Sequence, residues 1–196
     1  MTSTALQAHP IDMTVRPDLQ RSRLTVFFRL LIVIPHLIWM GLWGFVAELA
    51  LLVAWFAALF AGRVPDGLHG FLASYLRFYA RVSAYLFLLA DPYPPFGGAE
   101  GGYPVDVRIA PAAPQSRLTV LFRIVLIIPA ALLTYVFRLV NEVVAFLGWF
   151  YCLFTGRMHE GMQDTSMWLL RYEIQTAAYA LLLTQRYPSL SGGPTL

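Results

Sequence analysis

Shifted by 94 residues, the sequence aligns on itself without a gap. Pro10–Gly98 lies over Pro104–Gly192 with 30 identities in 89 positions. Ser22-Arg23-Leu24-Thr25-Val26 recurs as Ser116-Arg117-Leu118-Thr119-Val120, and Phe28-Arg29 as Phe122-Arg123. Ile34-Pro35, Glu48, Trp55-Phe56, Gly62-Arg63, Leu76-Arg77, Ala84-Tyr85 and Tyr93-Pro94 all return at the same offset. Any fold must therefore be built twice from one plan. The two copies span 10–98 and 104–192, joined by a short linker at 99–103 inside the Gly/Pro-rich stretch Pro92–Pro104, where paired prolines and glycines end any helix. Polar tails at 1–9 and 193–196 flank the repeats, and the first 20 residues lack the apolar core of a secretory signal.

Within each repeat a polar or extended leading segment, such as Tyr103–Ile109, precedes a long apolar block. In the first repeat that block runs from Leu24 to Gly62, 39 residues interrupted only by Arg29 and Glu48. As one straight helix it would be about 58 Å long, roughly twice the ~30 Å hydrocarbon core of a bilayer. The expectation is a hairpin of two spans, about 24–42 and 46–61, turning near Gly41–Gly44. The second repeat would place spans at about 118–136 and 139–155, with Arg138, Asn141 and Glu142 at the turn. Ser22 and Ser116 suit N-caps, and Pro35 and Pro129 fall where a kink is expected.

The third segments, about 67–89 and 161–183, are long enough to span but carry charge near their middles. Arg77 and Arg81 share one helix face, as do Arg171 and Gln175, with apolar residues at helical spacing on the other side. Since a mid-bilayer charge costs about 2.5–3.5 kcal/mol on insertion scales, each is expected to be an amphipathic interfacial helix.

Composition agrees with a membrane protein. The chain is 58% hydrophobic and 13% charged, against about 45–50% and 25% for a soluble domain. All 14 basic residues are arginine. No basic run or interleaved aromatic pattern suggests nucleic acid. With two spans per repeat almost every arginine falls on one side and only Arg138 lies opposite, which predicts an inner-membrane protein with both termini cytoplasmic. The expected class is all-α: a multi-pass bundle of four spans and two interfacial helices.

Candidate chemistry is sparse. His9, His36, His69 and His159 form no metal-ligand spacing, Cys152 is alone in an apolar run, and no nucleophile, phosphate or dinucleotide motif is present. No enzyme activity, metal or cofactor is expected. Arg23, Arg29, Arg63, Arg77, Arg81, Arg117, Arg123, Arg157 and Arg171 are the candidates for contact with anionic lipid headgroups or a partner protein. Arg29 and Arg123 could snorkel to phosphate or bond to Asp66 or Glu160. Glu48 and Glu142, expected near the outer ends of the second spans, could line an ion or proton path with His36, or could simply sit at helix N-termini.

These motifs resemble a bacterial membrane family known only as domain of unknown function 4389. The resemblance is carried by Tyr103-Pro104-Val105, Ser22-Arg23, Phe28-Arg29, Ile34-Pro35-His36, Phe154-Thr155-Gly156-Arg157 and Tyr93-Pro94-Pro95-Phe96. The second repeat departs at Ala130, in place of the histidine, and at Ser189-Leu190, in place of Pro-Phe, so a role for His36 cannot be shared by both halves. The resemblance implies a multi-pass membrane protein and supplies no activity. An accessory, scaffold or lipid-interacting subunit, in a homo-oligomer or larger complex, is the expected function. A small transporter or channel at the repeat interface is the alternative.

Overall fold

A computed structural model describes residues 9–16 and 18–191; the expected terminal tails lie outside these residues apart from His9. The described chain is mostly helical. The first repeat contains β1 (Ile11–Val15), α1 (Arg23–Ile32), α2 (Ile34–Ala61) and α3 (Asp66–Leu86), and the second contains β2 (Val105–Ile109), α4 (Arg117–Leu121), α5 (Arg123–Thr155) and α6 (Glu160–Ala180).

The expected hairpins are absent. Gly41–Gly44 and Val136–Leu139 are helical throughout, so each apolar block is one long helix with a single joint. In the first repeat the joint is at Val33. Its N–H still reaches Arg29 O at 3.0 Å and its carbonyl still accepts from Leu37 N at 3.0 Å, and Pro35 follows at the start of α2. Pro129 is accommodated inside α5. A glycine costs a helix only about 1 kcal/mol, and Gly44 is needed where it stands, because a Cβ there would lie 2.9 Å from the Tyr75 hydroxyl. The helices stop instead at Gly62 and Gly156, whose φ of 74° and 71° close each end in the left-handed region. Ser22 caps α1 by accepting from Thr25 N, whereas Ser116 occupies the cap position of α4 without that bond.

The third segments also differ from the expectation. They do not stand apart as interfacial helices; α3 and α6 form the centre of the protein. Leu72, Leu76, Ala80 and Ala84 of α3 join Leu170, Ile174 and Ala178 of α6 in one core. The two run antiparallel, with Tyr79 against Glu173 midway and Arg21 joining Leu89 O to the Gln163 side chain at one end. An amphipathic pattern does not distinguish a face that meets lipid from one that meets protein.

The long helices pack outside this pair, α2 along α3 and α5 along α6. His36 faces Phe78 and Trp43 faces Phe71 across the first interface. On another side the two leading segments pair as an antiparallel sheet, Ile11 opposite Ile109 and Val15 opposite Val105. Ile11, Met13, Val105 and Val107 point inward onto α3 and α6, while Thr14 and Arg108 are exposed. The register sets Met13 opposite Val107. These two are repeat equivalents, so the pseudo-two-fold axis passes between them. Each repeat also lends its first helix to the other: α1 packs on α5 and α4 on α2.

The linker lies against α3 at Gly98, where a Cβ would come within 1.8 Å of Ser74 O, while Gly97 next to it is open. Gly98→Ala should therefore destabilise the fold by about 3 kcal/mol, as overpacking against backbone does, and Gly97→Ala should be nearly silent. Thermal unfolding in detergent compares the two.

Candidate functional site

The nine candidate arginines separate into three groups. Arg29 and Arg123 are buried, with 2% and 3% exposure. Arg29 donates to the carbonyls of Tyr85 and Ala90, reaches Asp91 at 3.0 Å, and stacks 4.2 Å from the Tyr85 ring centre. Arg123 repeats this on Tyr179 O at 2.5 Å, Thr184 O at 2.8 Å and the Tyr179 ring at 4.1 Å, with Gln115 in place of an acid. The carbonyls at a helix C-terminus run short of intrahelical donors, and each guanidinium adds a side-chain donor to the last turn of α3 or α6 and to a carbonyl just beyond it. The expected alternatives, lipid phosphate or Asp66 and Glu160, are not the partners. Because α1 and α2 run on through the Val33 joint without a hairpin, Arg29 arrives at the far end of α3 from Asp66.

Arg77, Arg81 and Arg171 face the sheet. Arg77 donates to Val107 O at 3.0 Å and pairs with Glu100 at 3.3 Å. Arg81 gathers the linker carbonyls of Gly97, Ala99 and Gly101 together with the Asp106 carboxylate. Arg171 reaches Met13 O at 3.3 Å. The remaining four, Arg23, Arg63, Arg117 and Arg157, are exposed near the ends of the long helices. Arg63 pairs with Asp66 at 2.7 Å.

Glu48, Glu142 and His36 do not assemble into a path. Both glutamates lie midway along the long helices rather than at helix N-termini, Glu48 in a shallow pocket beside Tyr75 and Glu142 3.4 Å from Arg138. His36 is on the same helix as Glu48 but about 18 Å away along the axis. It is fully buried, hydrogen-bonded to Pro94 O at 2.8 Å and stacked on Phe96 at 4.0 Å, which pins the Tyr93–Phe96 loop.

The polar centre that forms is one the sequence did not single out. Tyr79 donates to the Glu173 carboxylate, and Arg138 reaches the same carboxylate at 3.3 Å and the Tyr79 hydroxyl at 3.1 Å. Burial pushes the Glu173 carboxyl up from its ordinary range, opposed by the Tyr79 and Arg138 contacts. The only advance sign was that positions 79 and 173 are repeat equivalents of unlike chemistry. Beside this centre a cleft of about 420 Å³ runs between α1 and α5, walled by Leu30, Leu86, Phe87, Phe146 and Trp149, with Arg138 and Glu142 at one end. Among the described residues no three His, Cys, Asp or Glu side chains gather as a metal site.

Arg29→Ala should cost about 3 kcal/mol, since it takes the side-chain donor from two buried carbonyls and the ion-pair partner from Asp91. Asp91→Asn should cost about 1 kcal/mol or less, because the second repeat closes the same geometry with Gln115, a neutral amide. Unfolding midpoints of the two variants in detergent compare these costs.

A family model described as "Domain of unknown function (DUF4389)" matches residues 23–97 and again 117–191. No curated protein and no solved structure matches the chain. With one copy in each half and most of its length covered, the chain belongs to that family.

Proposed function

We propose that this protein is a membrane-embedded scaffold that contacts lipid through its long helices and offers its sheet face to the aqueous side, with no chemistry of its own. The observation that carries this reading is the confinement of large exposed apolar side chains to α1, α2, α4, α5 and the α4–α5 joint at Phe122, apart from Tyr93, Phe96, Tyr187 and Leu190 in the segments after α3 and α6. The exposure runs the whole length of each long helix, from Leu24 at 70% to Phe60 at 73% and from Leu118 at 70% to Phe154 at 78%. A soluble protein rarely leaves so large an apolar surface open.

Two physical arguments favour helices lying along the membrane in one leaflet. First, α2 and α5 have 28 and 33 residues, about 42 and 50 Å, which exceeds the ~30 Å core. Second, the sheet and linker lie over the middle of α3 and α6. A crossing orientation would carry Thr14, Arg108 and the linker backbone to mid-bilayer, where unpaired backbone and charge are costly. Lying flat, the protein keeps that face in water. Arg23, Arg63, Arg117 and Arg157 then come to headgroup level beside anionic lipid, and the cleft beside Trp149 receives an acyl chain. The sheet face would be cytoplasmic, in the inner membrane, and would meet the partner protein of a larger complex or another copy of the chain.

A second reading has α2 and α5 crossing the bilayer as part of a multi-pass transporter, and one observation favours it: both are long and apolar enough to cross. Arg63 and Arg157 separate the two, because they sit at the α2–α3 and α5–α6 turns, at opposite ends of the inner pair. In a Cys152→Ala background, Arg63→Cys and Arg157→Cys should both react with an impermeant maleimide from the same side of sealed vesicles. Reaction from opposite sides would sink the one-leaflet seating.

A further inference from the structure

Each repeat completes its hydrogen bonding on the other. Trp55 donates its indole N–H to Val120 O at 3.0 Å, and Trp149 returns the bond to Val26 O at 2.8 Å. Arg77 takes Val107 O at 3.0 Å, and Arg171 takes Met13 O at 3.3 Å. The backbone N–H of Arg21 donates to Gly156 O at 2.9 Å, and that of Gln115 donates to Gly62 O at 2.7 Å. In all three pairs the two bonds interchange on adding 94 to one repeat, and the sheet register turns about the Met13–Val107 pair. This is the geometry of an isologous dimer interface, in which the same patch is presented from both sides, built here within one chain. A repeat alone would leave an open strand edge and unpaired carbonyls.

On the axis itself the two halves differ. Tyr79 of the first repeat donates to Glu173 of the second, and these are equivalent positions. Arg138, which bridges them, has Gly44 as its counterpart. Two second repeats paired with each other would set two buried Glu173 carboxylates face to face, with the phenol donor gone. The additional Arg138 would already bridge its own Glu142 and Glu173. Two first repeats would bring two phenols without carboxylate or arginine. The strands do not discriminate, since a like pair of second repeats would put Asp106 opposite Arg108, a favourable cross-strand match.

We infer that the inter-repeat surface is a recognition interface whose fitting partner is the complementary repeat, in the same chain or in a second copy, and that Tyr79, Glu173 and Arg138 select unlike over like pairing. The full-length protein tests this once a protease site is inserted between Gly101 and Gly102, both exposed. After cleavage in detergent, native mass spectrometry distinguishes the halves by mass. The halves should stay together one to one. After dissociation and reassembly, unlike pairs should exceed like pairs by about tenfold or more. Glu173→Gln and Tyr79→Phe should each bring the ratio towards statistical mixing. Separation of the halves on cleavage overturns the inference, as does a statistical mixture from the unsubstituted protein or a ratio unmoved by both substitutions. The unsubstituted ratio is decisive by itself, so a variant that fails to fold leaves the test intact.

Discussion

The last carbonyls of α3 and α6 point into protein, where no water can satisfy them, and the rest of the architecture follows from how they are met. Arg29 and Arg123 donate to Tyr85 O and Tyr179 O in the closing turn of each inner helix and to Ala90 O and Thr184 O beyond it, while Arg21 and Gln115 capture the carbonyls of Leu88 and Leu182 in between. Those two leucines have φ of 62° and 60°, a conformation that a leucine adopts only when its surroundings impose it. The captured turn fixes where the chain leaves the inner helix. It also fixes where the long helix, which carries the arginine, must lie.

The two repeats meet this requirement with different chemistry. The first uses a charged set, Arg29 on Asp91 and Arg21 on backbone oxygen, whereas the second pairs Arg123 with the neutral side chain of Gln115. The shared geometry therefore depends on the number and direction of donors rather than on a balanced ion pair. That is consistent with the modest net contribution of buried ion pairs relative to the cost of leaving one partner alone.

Much of this plan can be read in the residues themselves. The offset of 94, the linker, the burial of Cys152 and the helical nature of all three segments follow from spacing and composition. The continuity of the long helices does not, because a glycine such as Gly44 suits a turn and a close contact equally, and only Tyr75 decides between them. The partners of the buried arginines were equally hidden. Backbone carbonyls have no side-chain identity, so a bond from Arg29 to Tyr85 O leaves no trace beyond the joint recurrence of Arg and Tyr. Tyr79 and Glu173 escaped because they are polar positions on helices whose amphipathic pattern already accounted for polar residues.

The pairing of β1 with β2 also governs the order in which the molecule can be made. The first strand is synthesised well before its partner, which follows about ninety residues later, after α1, α2 and α3. Until then the first repeat has its long apolar helix, an unpaired strand edge and an indole N–H without its acceptor. Contacts this distant in sequence slow folding and lengthen the time that sticky surface is open. Seated in a membrane as proposed, the growing chain would depend on the bilayer itself to shelter its first half until the second arrives.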